Sequence, residues 1–165
     1  LKSEPSIRIL NNSANRQIER IGGRTMEKYL KTGAITAELA EKMIEAAVAK
    51  ARELNVAVNI AIVDAGAHLK AFRRMDGAPL LSIGISQRKA YTAVAFNMPT
   101  NQWYDLLKES PALLTGFPHT PDLIIFGGGF PIVVDGITIG GIGISGGSEQ
   151  QDEIIAEAAL AVAQG

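Results

Sequence analysis

Residues 127–152 read GGGFPIVVDGITIGGIGISGGSEQQD, and this stretch decides between a nucleotide-binding fold and an antiparallel sheet. Within it, Gly141, Gly143 and Gly146 spell G-x-G-x-x-G, after an apolar run and before a helix-like run. Taken literally, this is the fingerprint of a dinucleotide-binding turn. The glycines therefore serve either a ligand or the fold.

A nucleotide site makes further demands on the sequence. A dinucleotide-binding fold needs a second strand–helix unit after the turn, with an acidic residue about 20 positions further on to hold the ribose. The sequence stops at Gly165 before such a unit, and no Lys follows Lys108 to complete a Walker loop. Glycines inside a strand usually mark places where another backbone, side chain or ligand comes close. We therefore expect a structural role or a ligand-facing loop, and no nucleotide.

Composition limits the function classes. The chain has 165 residues, 47% of them hydrophobic, which is enough for one domain with a real core. A net charge of −1 and 5% aromatic residues give no footprint for nucleic acid. No apolar run approaches the roughly 18 residues of a membrane span, so we expect a cytoplasmic protein with no membrane contact. Without cysteine, any metal must be bound by His or oxygen ligands.

The sequence divides into two parts. Residues 1–31 carry seven Lys or Arg against three Glu, whereas the remainder has a charge of −5. Periodicity is weak in this first part, so we predict that residues 1–34 form an arm that is irregular or contacts another subunit. Residues 35–165 are predicted to form the folded domain.

Regular elements are predicted throughout this domain. Thr36 is placed to cap a helix whose apolar face includes Ala40, Ile44 and Ala47, and Ser148-x-x-Gln151 has the spacing of a capping box. Alternating apolar residues predict a hairpin turning at residues 64–67. The predicted elements are helices at 36–55, 79–97, 100–110 and 148–164 and strands within 56–76 and at 122–126, 131–134 and 137–145.

Three blocks resemble a known family: VDAGAHLKAFRRMDGAP (63–79), SIGISQRKAYTA (82–93) and FGGGFPIVVDGITIGGIGISGGSEQQDE (126–153). They are similar to the GlcG/HbpS family, which includes the C-terminal domain of PduO-type corrinoid adenosyltransferases. The resemblance covers residues 35 to the C-terminus. It implies an α/β (α+β) fold, a profilin-like sandwich of one five-stranded antiparallel sheet flanked by helices, assembled into homo-oligomers. It also implies haem, or a related iron or corrinoid species, as a ligand, while some members belong to catabolic operons.

The two histidines, His68 and His119, are the candidate iron ligands or proton carriers. His68 begins the second strand of the hairpin, where it could equally pack against the turn. His119 lies in a loop bracketed by prolines, and functional residues concentrate on such loops. No H-x-H or H-E-x-x-H spacing predicts a tight metal site made by protein alone.

Basic residues and glycines complete the predicted pocket. Arg74 and Lys89 are candidates for binding a ligand carboxylate, such as a haem propionate or a small organic acid. The backbone N–H groups of Gly128 and Gly129 would add donors without bulk. Ordinary surface solvation is the alternative for each charge.

Two functions follow. The first is an oligomeric small-ligand-binding protein, with haem as the ligand that the resemblance implies. The second is a cofactor-independent isomerase, tautomerase or hydratase acting on a small organic acid. There, His119 or His68 would move a proton while Arg74, Lys89 and the glycine backbone hold the carboxylate and a developing oxyanion.

Overall fold

The computed structural model describes residues 18–21, 24–27 and 32–165. The chain divides into two units, Leu1–Thr32 and Gly33–Gly165. In the first unit, β1 (Ile18–Ile21) and β2 (Arg24–Glu27) pair antiparallel, with Ile18 opposite Glu27. Most of the predicted arm at residues 1–34 lies outside the described residues, so its irregular or subunit-contacting character stays a prediction.

The second unit combines helices with one antiparallel sheet. Its elements are α1 (Ala37–Glu53), β3 (Asn59–Asp64), β4 (Leu69–Arg74), α2 (Ser82–Phe96), α3 (Trp103–Leu107), α4 (Pro111–Gly116), β5 (Gly129–Val134), β6 (Ile137–Ser145) and α5 (Glu149–Val162). The strand order is β4-β3-β6-β5, with every neighbouring pair antiparallel. The predicted class, an antiparallel sheet flanked by helices, is confirmed, and β6 is one of the two interior strands of the sheet.

The predicted fifth strand is wrong. In residues 32–165 the sheet has four strands, and residues 122–126 form an irregular segment. Ile124 N donates to Thr92 Oγ1 at 3.0 Å, and the same hydroxyl donates to Asp122 O at 3.2 Å. These two backbone groups are therefore hydrogen-bonded to a side chain of α2, and they need no partner in a neighbouring strand.

Both predicted helix caps are confirmed. Thr36 Oγ1 accepts a hydrogen bond from Leu39 N at 3.2 Å, which satisfies a free donor at the start of α1. Ser148 and Gln151 form the full capping box of α5, with Ser148 N donating to the Gln151 side chain at 2.9 Å.

The core lies on one face of the sheet. This face carries fully buried isoleucines of β3 and β6: Ile60, Ile62, Ile142 and Ile144. They pack with α1 and α5, including Met43 and Ile155. The two amphipathic helices therefore cover this face.

Helix α2 covers the opposite face, where the sheet is made largely of small residues. Ala61 and Val63 of β3 contact Ala90 of α2. A Cβ added to Gly141 would lie 2.7 Å from Ala90 O, and one added to Gly143 would overlap Ser86 O. The strand glycines thus make room for a helix backbone.

We predict that replacing Gly143 with Ala destabilises the fold. The added methyl group would overlap Ser86 O and lie 2.6 Å from Ala90 N, so α2 must move away from the sheet. The expected loss in free energy of unfolding is about 1–3 kcal/mol, measured by urea denaturation. The matched control is Gly116→Ala, where no atom lies within 4 Å of an added Cβ. An equal effect of both substitutions would contradict the packing role.

Candidate functional site

A strained turn joins β3 to β4. Ala67 has a φ of 63°, and it is the only non-glycine residue with positive φ in residues 32–165 that is neither Asn nor Asp. Such a conformation is costly for alanine and tends to occur at functional sites. The turn is held because Ala67 N donates to Asp64 O at 2.9 Å.

Asp64 organises the same turn through its side chain. Its Oδ1 accepts hydrogen bonds from Gly66 N at 2.8 Å and His68 N at 3.0 Å. The bond from His68 N is the largest cause of a lowered pKa for Asp64, and the bond from Gly66 N adds to it. Asp64 is therefore ionised at neutral pH.

The His68 imidazole stands beside this carboxylate. Its Nδ1 lies 3.3 Å from Asp64 Oδ1, and its side chain is 82% exposed. A Cβ added to Gly66 would lie 2.9 Å from the ring, so the absence of a side chain at Gly66 leaves room for the imidazole. With Nδ1 turned towards Asp64, Nε2 is the nitrogen available to a ligand.

A groove of about 470 Å³ opens next to the turn, on the α2 side of the sheet. The β3–β4 hairpin contributes Val63, Ala67 and Leu69 to its wall. Helix α2 contributes Gly84, Gln87, Arg88 and Tyr91, and the loop after the 3₁₀ turn at Phe117–His119 contributes Asp122. The groove therefore combines an apolar wall with one cation, one anion and neutral polar groups, which suits an amphipathic ligand.

Thr92 fixes the loop that carries Asp122 in the groove wall. It is fully buried, and its hydroxyl forms the two hydrogen bonds to Asp122 O and Ile124 N described above. Asp122 has a φ of 62°, the second left-handed residue in the groove wall. The exposed His119 lies in a 3₁₀ turn just before this loop.

Lys89 follows Arg88 in sequence but points into the fold. Its side chain is 1% exposed, and Nζ lies 2.8 Å from Asp152 Oδ2 and 2.8 Å from Ile144 O. Asp152 Oδ1 accepts a further bond from Gly147 N at 3.0 Å. Burial lowers the pKa of Lys89 and raises that of Asp152, and the attraction between the two charges opposes both shifts. The pair ties α2 to α5 across the sheet.

Gly128 and Gly129 belong to this buried region. A Cβ on Gly128 would lie 2.8 Å from Lys89 Nζ, and one on Gly129 would lie 2.6 Å from Lys89 O. The Phe126 ring adds a cation–π contact, with its centroid 5.1 Å from Nζ. Gly128 thus leaves space for the Lys89 ammonium group, and Gly129 lets the backbone of α2 approach β5.

The predicted site residues fall in separate places. His68 is flanked in sequence by the groove residues Ala67 and Leu69, and His119 precedes the groove loop. Lys89, Gly128 and Gly129 meet beneath α2. Arg74 is exposed at the end of β4, and its Nη2 contacts Ala78 O at 3.5 Å. The structure does not bring these residues into one cluster.

Sequence reasoning missed Arg88 and Asp152. Arg88 stands beside Lys89, and only the rotation of α2 shows which of the two faces outward. Asp152, near the start of α5, is buried with Ile155, Ala156 and Ala159, whereas Ile154 is exposed. The signal was the helical spacing of these four buried residues, which puts Asp152 on the inner face.

In the part of the chain that the structure describes, no group of three or more acidic or histidine side chains could hold a metal ion by itself. None of the helices in the described segments is long and apolar enough to cross a membrane.

We predict that Lys89→Met strongly destabilises the protein, because it leaves the Asp152 carboxylate buried without its partner. Removing one member of such a pair costs about 3–5 kcal/mol, which urea denaturation would measure. The double variant Lys89→Met/Asp152→Leu should recover part of this loss. Lys42→Met, at an exposed ion pair with Glu38 on α1, is the control and should change stability little. A mild effect of Lys89→Met would show that the pair is not a structural tie.

Comparison with known proteins supports the fold. The model of the family described as "Haem degrading protein HbpS-like" matches residues 35–161. The chain is 40% identical over 137 residues to an uncharacterized 15.0 kDa protein in the dhaT-dhaS intergenic region of Citrobacter freundii, covering 82% of this chain and 96% of that protein.

Two solved structures are also similar. A PduOC:haem complex has a TM-score of 0.74 and 38% identity, covering 78% of this chain and 94% of that one. HbpS has a TM-score of 0.74 and 32% identity, covering 82% and 94%. The family model, the identity to relatives and the shared fold confirm the resemblance seen in the sequence, and the chain belongs to the HbpS-like family of haem degrading proteins.

Proposed function

We propose that this protein binds haem in the groove beside α2. The observation that carries the proposal is the composition of the groove wall, in which apolar side chains and a half-buried arginine share one opening. The solved relative PduOC, at 38% identity, forms a complex with haem. The groove wall also includes Ala67, and a strained backbone conformation such as that of Ala67 is typical of ligand sites.

The residues present fit a haem group. Val63, Leu69 and the ring of Tyr91 offer apolar surface to a flat macrocycle, and Leu69 and Tyr91 are exposed. With no cysteine in the sequence, the iron ligand would be a histidine or an oxygen. Bound haem would supply an iron centre for redox or small-ligand chemistry.

His68 and His119 are the proposed iron ligands, since each adjoins a segment of the groove wall. His68 has the better-defined geometry, because Asp64 faces its Nδ1 and leaves Nε2 to coordinate. His119 is exposed in the 3₁₀ turn before Asp122.

We predict that hemin titration shifts the Soret band to a histidine-ligated form, and that replacing the ligating histidine with Ala abolishes this form. Loss of outer-shell partners weakens metal sites about 10–100-fold, so loss of the ligand should cost at least about tenfold in affinity. The measurement is visible absorbance, with His68→Ala and His119→Ala compared with the parent protein.

Lys42→Ala, on α1 at the opposite face of the sheet, is the control and should bind hemin as the parent does. If the parent fails to bind hemin, haem binding is refuted. If both histidine variants keep the parent spectrum, the histidine assignment is refuted. Binding of small organic acids without hemin would instead favour the cofactor-independent enzyme.

Self-association is also part of the proposal. Leu80 and Leu81 before α2 are 72% and 75% exposed, and Tyr104 and Leu106 of α3 are exposed as well. Large apolar side chains at the surface favour association in a symmetric assembly. Trp103, by contrast, is buried within its own chain against Leu107 and Leu123.

We predict a homo-oligomer that Leu80→Asp/Leu81→Asp weakens, because charges would then have to be buried at the contact. Sedimentation at micromolar concentration should show a mass that is a multiple of 17.5 kDa. Lys50→Asp on α1 serves as the control for the change in charge. A parent protein that sediments as a monomer would end this proposal.

A further inference from the structure

Arg88 differs from the other arginines of residues 32–165. Arg52, Arg73 and Arg74 are exposed, whereas Arg88 is half-buried and lines the groove. Within the same residues, no ion pair joins Arg88 to a carboxylate. A partly desolvated cation without an anionic partner is stabilised when a ligand supplies one.

The side chain of Arg88 is held along the helix surface. Its Nε donates to Gly84 O, one turn earlier in α2, at 3.2 Å. A Cβ built on Gly84 would lie 3.8 Å from Arg88 Nη2, so the guanidinium lies close to the glycine. The Nε bond uses one donor of the guanidinium, and the Nη groups keep theirs for a planar anion.

The second charged residue in the groove wall, Asp122, favours one orientation of a bound ligand. Asp122 lies on the loop that Thr92 fixes against α2, and it shares the wall with Arg88 and Gln87. An anionic group on the ligand would be repelled by Asp122 and attracted by Arg88. The groove thus distinguishes a carboxylate end of its ligand from an uncharged end.

We infer that Arg88, placed by Gly84, is the carboxylate anchor of the groove and makes it selective for ligands with a free carboxylate. This inference rests on the proposed function, since it concerns the same groove. The carboxylate would belong either to a haem propionate or to a small organic acid. Both sources have the chemistry that an arginine fork binds in two parallel hydrogen bonds.

The decisive comparison is between hemin and hemin dimethyl ester, which has the same macrocycle but no free carboxylates. The parent protein should bind hemin at least about tenfold more tightly than the ester, since a hydrogen bond to a charged group contributes about that much. Arg88→Gln should bring the two affinities close together by weakening hemin and leaving the ester unchanged. The parent's preference should also shrink as ionic strength rises.

A second variant keeps Arg88 in place but offers it a carboxylate partner within the helix. Gly84→Glu places a carboxylate four residues before Arg88, in the favourable orientation for an ion pair on a helix. It should abolish the preference for hemin over its ester. Because glutamate is a better helix former than glycine, the fold should be retained, which thermal unfolding would check.

Matched variants assign the effect to this arginine. Arg52→Gln, at the end of α1 on the other face of the sheet, should keep the parent's preference. Loss of the preference in Arg74→Gln but not in Arg88→Gln would overturn the assignment to Arg88. Equal affinities of hemin and its ester for the parent would overturn carboxylate selectivity while leaving haem binding intact.

A separate titration with sodium benzoate tests the second possible source of the carboxylate, a small organic acid. Chemical shift changes at Tyr91 and Gln87 that disappear in Arg88→Gln would support the anchor even if the protein binds no hemin. In that outcome the haem proposal fails and the anchor stands. If the parent shows neither ester discrimination nor Arg88-dependent benzoate binding, the anchor is refuted.

Discussion

The close approach of α2 to the sheet is the constraint on which the rest of this domain depends. Gly129, Gly141 and Gly143 offer no side chains at the contact, so the backbone of α2 at Ser86, Lys89 and Ala90 lies directly on β5 and β6. A Cβ at any of the three would require the helix to move. This close contact therefore restricts how far the helix can shift or rotate on the sheet.

That rotation gives two neighbouring basic residues opposite roles. Lys89 is turned inward, through the space left by Gly128, to pair with Asp152 on the far side of the sheet. Arg88 is turned outward into the groove with Gln87 and Tyr91. A buried pair of this kind is a costly way to hold two elements together, because both charges lose water. Here the pair fixes the position of α2 relative to α5. It thereby also fixes the part of the groove wall that α2 forms.

The groove takes its remaining walls from two segments held by side-chain hydrogen bonds. Asp64 holds the β3–β4 turn with its left-handed Ala67, and Thr92 holds the loop with its left-handed Asp122. A groove whose walls are held in place in this way would need little ordering when the proposed ligand binds. Membership of the HbpS-like family and the PduOC:haem complex make haem the best-supported ligand for such a site.

The sequence by itself determined most of the local elements and the family. Apolar periodicity and capping residues act over a few positions, so α1, the β3–β4 hairpin, α2 and the capping box of α5 could be predicted, and three motif blocks identified the family.

Tertiary structure decided the contacts between residues that lie far apart in the sequence, which local patterns do not contain. Residues 122–126 have the composition of a strand, but the hydroxyl of Thr92, 30 residues from Asp122, takes their hydrogen bonds. Likewise, Asp152 lies 63 residues from Lys89, and only the packing of two helices across a sheet shows that Lys89 is buried and Arg88 faces the groove. Side chains distant in sequence meet only where the fold brings them together, and the site depends on those meetings.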